Sequence, residues 1–254
     1  MGYLAGLTGV KICIAKLIPL NRVELMNSTF WQKNVFQYVF IGCGLFVVLT
    51  IIAMFTYPGG LYTGEMTTHY DFFHNFFSDL GRIRVEDGRS NIASAILFFF
   101  ALTIAGVGLI LFFIAFRDFF KTDPAGNVLS LIGTISGVAS GLCFVGIAFA
   151  PYDLFFTIHL QLVYWAFRTF FITVSLYGYV IFRQNNYPRR YGWIFAAFAI
   201  FLAAYIGLLE FGPEASTPSG LVIQATGQKI IVYVSIVSAM AQSRLAYLLR
   251  SMLK

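Results

Sequence analysis

Hydrophobic and polar positions divide the chain into six long apolar runs separated by short polar stretches. The runs extend from about Phe36 to Tyr57, Ile92 to Phe116, Val128 to Ala150, Leu160 to Phe182, Trp193 to Phe211 and Leu221 to Leu249. At about 1.5 Å per residue, each is long enough to cross roughly 30 Å of hydrocarbon. The pattern predicts an all-α polytopic membrane protein with six transmembrane helices in a domain covering residues 36–254, preceded by an amino-terminal interfacial or cytoplasmic segment over residues 1–35. The first twenty residues are apolar, are broken by Lys11 and Lys16, and lack a basic start and a small-residue cleavage site. No cleaved signal peptide is therefore expected, and Met26 is an alternative start to Met1.

Polar chemistry concentrates between the first two runs, in Thr68-His69-Tyr70-Asp71-Phe72-Phe73-His74-Asn75-Phe76-Phe77-Ser78-Asp79-Leu80-Gly81-Arg82. The spacing predicts a helix at the membrane surface. In it Phe72 pairs with Phe76 and Phe73 with Phe77, while Asp71, His74 and Ser78 fall together on another face. Gly81 reads as its stop and Asn91 as a cap for the second run. Tyr57-Pro58-Gly59-Gly60 and Asp123-Pro124-Ala125-Gly126-Asn127 are turn signals. In the third run Gly133, Gly137 and Gly141 recur every fourth residue beside Ser136 and Ser140, which predicts a close helix-packing seam.

Composition places the chain far from soluble globular proteins: 59% of residues are hydrophobic, 11% are charged and mean hydropathy is +0.79. The three cysteines form neither a CxxC pair nor a loop framework, so no disulfide or thiolate metal site is expected. Charge sets the orientation. Twelve of the seventeen basic residues fall at one end of the predicted bundle, which predicts cytoplasmic amino and carboxyl termini. The other end carries Arg82, Arg84, Arg89 and most of the acids, and the expected location is the cell membrane. The net charge of +6 reflects this topology, and no nucleic-acid partner follows from it.

Two cations fall inside predicted spans, Arg168 in the fourth and Lys229 in the sixth, both about 12 Å below the outer boundary. A charge near the bilayer centre costs at least about 2.5 kcal/mol, so compensation is required. Gln161, Trp165, Arg168 and Ser175 share a face, which is expected to point into the bundle. The three histidines and the carboxylates Asp71, Asp79, Asp153 and Glu210 are predicted above these cations, which predicts one outward-facing polar pocket.

Three chemistries are compatible with that pocket. His69, His74 and His159 are candidate nitrogen ligands for a catalytic zinc ion with water in the open position. Asp71, His74 and Ser78 have the order of orienter, base and hydroxyl expected of a nucleophilic site, although no GxSxG elbow is present. Arg168 and Lys229, with Gln228, Asp153 and Glu210 nearby, suit an anionic lipid headgroup or, equally, an internal ion-pair network. His74 and Asp79 are the strongest catalytic candidates and Ser78 is the weaker nucleophile.

His74-x-x-x-Ser78-Asp79-Leu80-Gly81-Arg82, Pro151-x-Asp153 and His159 together resemble the domain-of-unknown-function 998 family of six-span prokaryotic membrane proteins, from about residue 36 onward. That resemblance implies a glutamate–arginine pair near the start of the last span, where this chain has Gln228-Lys229, keeping the cation and losing the acid. More distantly the chain is similar to the Frag1/DRAM/Sfk1 group, some of whose members act in lipid remodelling. A wider analogy is to membrane hydrolases whose serine, aspartate and histidines bind zinc, but their seventh span and HxxxH pair are absent here. The expected function is binding or handling of membrane lipid headgroups at the outer leaflet, and the alternative is a zinc-dependent intramembrane lipid hydrolase or transferase using His69, His74, His159 and Asp79.

Overall fold

The computed structural model describes residues 30–185 and 187–252, with side chains from residue 33. The expected amino-terminal segment therefore lies largely outside the described residues. Among the described residues six long α-helices follow one another: α1 (Phe30–Thr56), α2 (Ile92–Phe116), α3 (Pro124–Phe149), α4 (Phe156–Arg183), α5 (Arg189–Phe211) and α6 (Pro218–Met252). All six are long and apolar enough to cross a membrane. Large apolar side chains such as Phe55, Ile200 and Phe211 are exposed around the outside, where lipid replaces water as the solvent. The chain is a multi-pass integral membrane protein.

Each helix packs mainly on its neighbours in sequence, and α6 returns against α1 to close a ring. The tightest approach is between α2 and α3. A Cβ at Gly106 would lie 2.7 Å from the Gly141 carbonyl oxygen, and one at Gly141 would lie 2.7 Å from the Gly106 oxygen. Further along the expected seam, Gly137 receives the ring of Phe113 and Gly133 that of Tyr177. The serines face α4, where Ser136 Oγ donates to the Thr169 carbonyl at 2.8 Å and Ser140 Oγ to that of Ala166 at 2.9 Å. The small residues thus trade side-chain volume for backbone contact and interhelical hydrogen bonds.

The turn into α3 forms as its sequence suggests: the Asp123 carboxylate accepts the Gly126 N–H at 2.8 Å, with Pro124 in the first turn. At the same end of the ring Phe116, Phe119, Phe120, Tyr177 and Tyr187 form one aromatic cluster.

Gly141→Leu should lower the unfolding midpoint of detergent-solubilised protein by an amount equivalent to about 2 kcal/mol or more, because backbone stands where its side chain must go. Gly44→Leu is the control. A Cβ there meets nothing within 4 Å, and its midpoint should stay within about 0.5 kcal/mol of wild type.

Candidate functional site

The polar stretch between α1 and α2 does not form the expected surface helix. Residues 57–76 are turns and extended chain, and only Phe77–Gly81 is helical, as a single 3-10 turn. The reason lies in its polar side chains, which bond to nearby backbone in competition with a helical ladder. The Asp71 carboxylate accepts the N–H groups of Phe73 at 2.9 Å and His74 at 3.1 Å. The Asp79 carboxylate accepts the Phe76 N–H at 2.8 Å, closing the amino end of the 3-10 turn. Gly59 and Gly60 begin the segment at φ values of +97° and +96°. A Cβ at Gly59 would stand 2.1 Å from the Thr67 carbonyl oxygen, so only glycine fits where these two stretches of the loop cross.

Asn75 is the centre of the loop and is fully buried. Its Nδ2 donates to the Gly60 carbonyl at 2.8 Å and to Asp79 Oδ2 at 3.1 Å, while its Oδ1 accepts the Asp71 N–H at 2.9 Å. Its backbone carbonyl accepts from Lys229 Nζ, reaching up from α6. That ammonium also donates to the Ala225 carbonyl at 3.3 Å and lies 5.2–5.9 Å from the ring centroids of Tyr70, Phe72 and Phe77. The neighbouring Gln228 Oε1 accepts the Phe77 N–H at 2.7 Å. Lys229 and Gln228 therefore hold the loop onto the ring.

The second loop closes from the other side. Asp153 accepts the backbone N–H of Ile83 at 3.1 Å and of Arg84 at 2.9 Å. Asn91 stands at the cap position of α2 without capping it. Its Nδ2 turns back to the Arg82 carbonyl at 2.8 Å, and Ser94 Oγ donates to that of Leu80 at 3.0 Å. Arg82 is buried, with Nη2 donating to Glu86 at 2.7 Å and the guanidinium 5.5 Å from the Tyr152 ring.

Arg168 has a different environment. On α4 the buried face carries His159, Val163, Ala166, Phe167, Phe170 and Thr173, whereas Trp165 and Ile172 are exposed and Arg168 is 39% exposed. The face expected to point into the bundle instead points to lipid. Its charge is compensated by an ion pair with Glu210, in the last turn of α5, and by the rings of Tyr164 at 5.2 Å and Trp165 at 5.9 Å. Lys229, by contrast, is 2% exposed. The two cations do not form the shared pocket floor that their equal depth suggests, because each is satisfied by a different partner set.

The histidines are also separate. The exposed His69 has Nδ1 3.2 Å from the Thr68 hydroxyl, His74 has Nδ1 3.0 Å from Asp71, and the buried His159 has Nδ1 2.7 Å from the Ala150 carbonyl. Among the described residues no three His, Cys, Asp or Glu side chains converge on a position for one ion. The donor set expected for zinc does not fit as it stands. Asp71 and His74 do meet, but Ser78 lies within the 3-10 turn Phe77–Gly81 and makes no hydrogen bond to His74 among the described residues, so the three do not form a relay.

Two carboxyls of this loop shift in opposite directions. Burial pushes Asp79 above the ordinary carboxylate range, against the opposing effects of the Asn75 hydrogen bond, the Arg82 charge, the Phe76 N–H and the Lys229 charge. For Asp71 burial is slight, and the hydrogen bonds from His74 and from the Phe73 N–H outweigh it and hold the carboxyl below its usual value.

Asn75 was not singled out by sequence reasoning. Its signal was an isolated amide among phenylalanines, four residues before an aspartate. No protein-family model matches this chain, nor does any curated protein or solved structure.

Asn75→Ala should loosen the whole loop, because the Gly60 carbonyl, the Asp71 N–H and Asp79 each lose a buried partner. Hydrogen exchange across residues 58–90 should accelerate by an amount equivalent to about 2 kcal/mol or more, while α3 and α4 keep their protection. Asp79 supplies a pH test. With its folded pKa raised above the unfolded value, its contribution to loop stability is fully present below the unfolded pKa and is lost as pH rises through the folded one. Loop protection should therefore fall with rising pH from the ordinary carboxylate range upward, and Asp79→Asn should flatten that dependence.

Proposed function

We propose that this protein binds membrane lipid at the loop-bearing end of its ring, in the outer leaflet of the cell membrane, with Arg168 holding an anionic headgroup. The observation that carries this reading is the position of Arg168, an arginine on the lipid-facing side of α4 that is paired on one side with Glu210. An exposed guanidinium with one carboxylate partner keeps further donors for phosphate oxygens, whose geometry it matches. Tyr164 and Trp165 beside it, 5.2 and 5.9 Å from the guanidinium, are amphipathic aromatics of the kind that partner lipid near the headgroups, and the long arginine stem reaches up toward Glu210 at the end of α5. Glu210 tunes this site by competing with the lipid anion for Arg168.

Lys229, Gln228 and Asp153, candidates for the same headgroup, act in this reading as anchors of the two loops. The expected resemblance to the domain-of-unknown-function 998 family is compatible with it and adds no chemistry. The alternative, a zinc-dependent lipid hydrolase, has weaker support, since His69, His74 and His159 are each engaged locally.

Native mass spectrometry of protein from mixed phosphatidylglycerol and phosphatidylcholine nanodiscs tests the proposal. Arg168→Gln should reduce the preference for phosphatidylglycerol by about tenfold, equivalent to one charge-assisted contact, and Glu210→Gln should raise it. A merely structural ion pair would give two variants of lower thermal stability and the same lipid preference as wild type, which rejects the headgroup site.

A further inference from the structure

The carboxyl end of α5 carries charge of the sign that a helix end disfavours. Glu210 stands in the last turn, beside the terminal Phe211, and no basic residue shares that turn. The unpaired carbonyls of a helix end form its negative pole, which favours a cation and disfavours a carboxylate. The loop that follows adds a second exposed carboxylate, Glu214. From Tyr191 to Gln228 the sequence contains no lysine or arginine, so neither the end of α5, nor the loop, nor the start of α6 supplies a cation. The cation that reaches Glu210 comes from α4, as Arg168. One guanidinium thus answers both a carboxylate and a negative helix pole, with another carboxylate four residues on.

This corner is anchored from both sides. Tyr164 of α4 donates its hydroxyl to the Leu209 carbonyl at 3.4 Å, and Gln224 of α6 donates Nε2 to the carbonyls of Leu208 at 3.1 Å and Pro213 at 3.2 Å. In the loop, Thr217 Oγ1 donates to the Glu214 carbonyl at 2.9 Å. The last turn of α5 is therefore tied to α4 and to α6, and it presents Glu210 with its side chain 34% exposed beside Arg168 at 39%. Glu210 engages Arg168 through Oε1, and its Oε2 has no hydrogen-bond donor among the described residues. Both members of the pair face the lipid with capacity unused, further N–H groups on the arginine and an oxygen on the glutamate.

A lipid phosphate that draws Arg168 away from Glu210 leaves that carboxylate and the helix pole without a counter-charge at the edge of the hydrocarbon. A headgroup with a cation of its own restores the balance. We infer that the lipid at this site is an aminophospholipid, whose phosphate accepts from Arg168 and whose primary ammonium donates to Glu210. This inference rests on the headgroup reading of Arg168 and names the headgroup class. One internal ion pair is exchanged for two charge-assisted pairs with the lipid. A primary ammonium offers N–H donors to Glu210, as a lysine does, whereas the choline ammonium has none and is held off by its methyl groups. A serine headgroup would bring a further carboxylate to an acidic corner, so ethanolamine fits best. Selection then falls on the ammonium N–H groups, since the phosphate is the same in ethanolamine and choline lipids.

Native mass spectrometry of the unaltered protein tests this, in nanodiscs that mix phosphatidylcholine with phosphatidylethanolamine or with its mono- or dimethylated form. Bound lipid should be enriched about fivefold in phosphatidylethanolamine, and the enrichment should fall with each added methyl group. Equal binding across the series overturns the inference, whatever any variant does. Glu210→Gln should abolish the ethanolamine preference while raising that for phosphatidylglycerol over phosphatidylcholine, two changes of opposite sign that a misfolded protein does not produce. Loss of both preferences together marks Glu210 as structural and overturns its role. An ethanolamine preference that survives Glu210→Gln also overturns that role, and a phosphatidylglycerol preference still lost in Arg168→Gln then leaves the headgroup site standing. Arg168→Gln with both preferences unchanged removes the headgroup site, and this inference with it.

Discussion

A lysine ammonium buried in a membrane helix must be met by oxygen atoms, and in this protein one comes from its own helix, the Ala225 carbonyl, and the other from a loop. Lys229 is 2% exposed and donates to the Asn75 carbonyl, so α6 and the first loop are bound to one another by the cost of desolvating one charge. Much of the loop's architecture follows from that constraint. Asn75 has to sit over the ring, its side chain then organises Gly60, Asp71 and Asp79, and the aromatic rings of Tyr70, Phe72 and Phe77 gather about the ammonium. The loop reads as catalytic in sequence because it is rich in groups that hydrogen-bond, and in the fold those groups are largely spent on one another.

The transmembrane architecture was legible in sequence because bilayer thickness translates directly into run length: the α2 bounds coincide with the expected span, and the other helices agree with theirs to within a few residues at each end. The glycine seam was legible for a related reason, since a four-residue spacing of small residues leaves few uses other than close packing. The loop was not legible. A pattern of Phe72, Phe73, Phe76 and Phe77 fits a helix, but the short polar side chains of Asp71, Asn75 and Asp79 offer local backbone partners that periodicity does not count.

Arg168 shows a different gap between sequence and fold. Shared depth and a polar helical face argued for an inward orientation together with Lys229, on the premise that charge avoids lipid. Depth along a helix leaves the partner unspecified, and here the partner is Glu210 on the adjacent helix, at the lipid boundary. An intramembrane cation thus has two solutions in one chain: enclosure beneath a loop, or pairing at the surface with aromatic rings beneath it. The first leaves no room for a ligand unless the loop moves. The second leaves guanidinium donors facing lipid, and for that reason the proposed headgroup site rests on Arg168 rather than on Lys229.

The same uneven use of small residues accounts for the space inside the ring. On the α2–α3–α4 side, glycines and serines bring backbones together, and Gly106 and Gly141 meet almost carbonyl to Cα. On the side formed by α1, α2 and α6 a cavity of about 390 Å³ remains, and a Cβ at Gly108 would lie 3.9 Å from its nearest neighbour, Val39, although one at Gly42 would be held to 3.2 Å by Ile104. A ring that closes tightly over one half of its circumference fixes the spacing of its remaining helices, and these are not drawn inward to fill what is left. In water such a void would be opposed by the full hydrophobic driving force for collapse; between helices in a bilayer that force is absent, because lipid chains are as apolar as the walls. An apolar cavity is therefore a state a membrane ring can sustain.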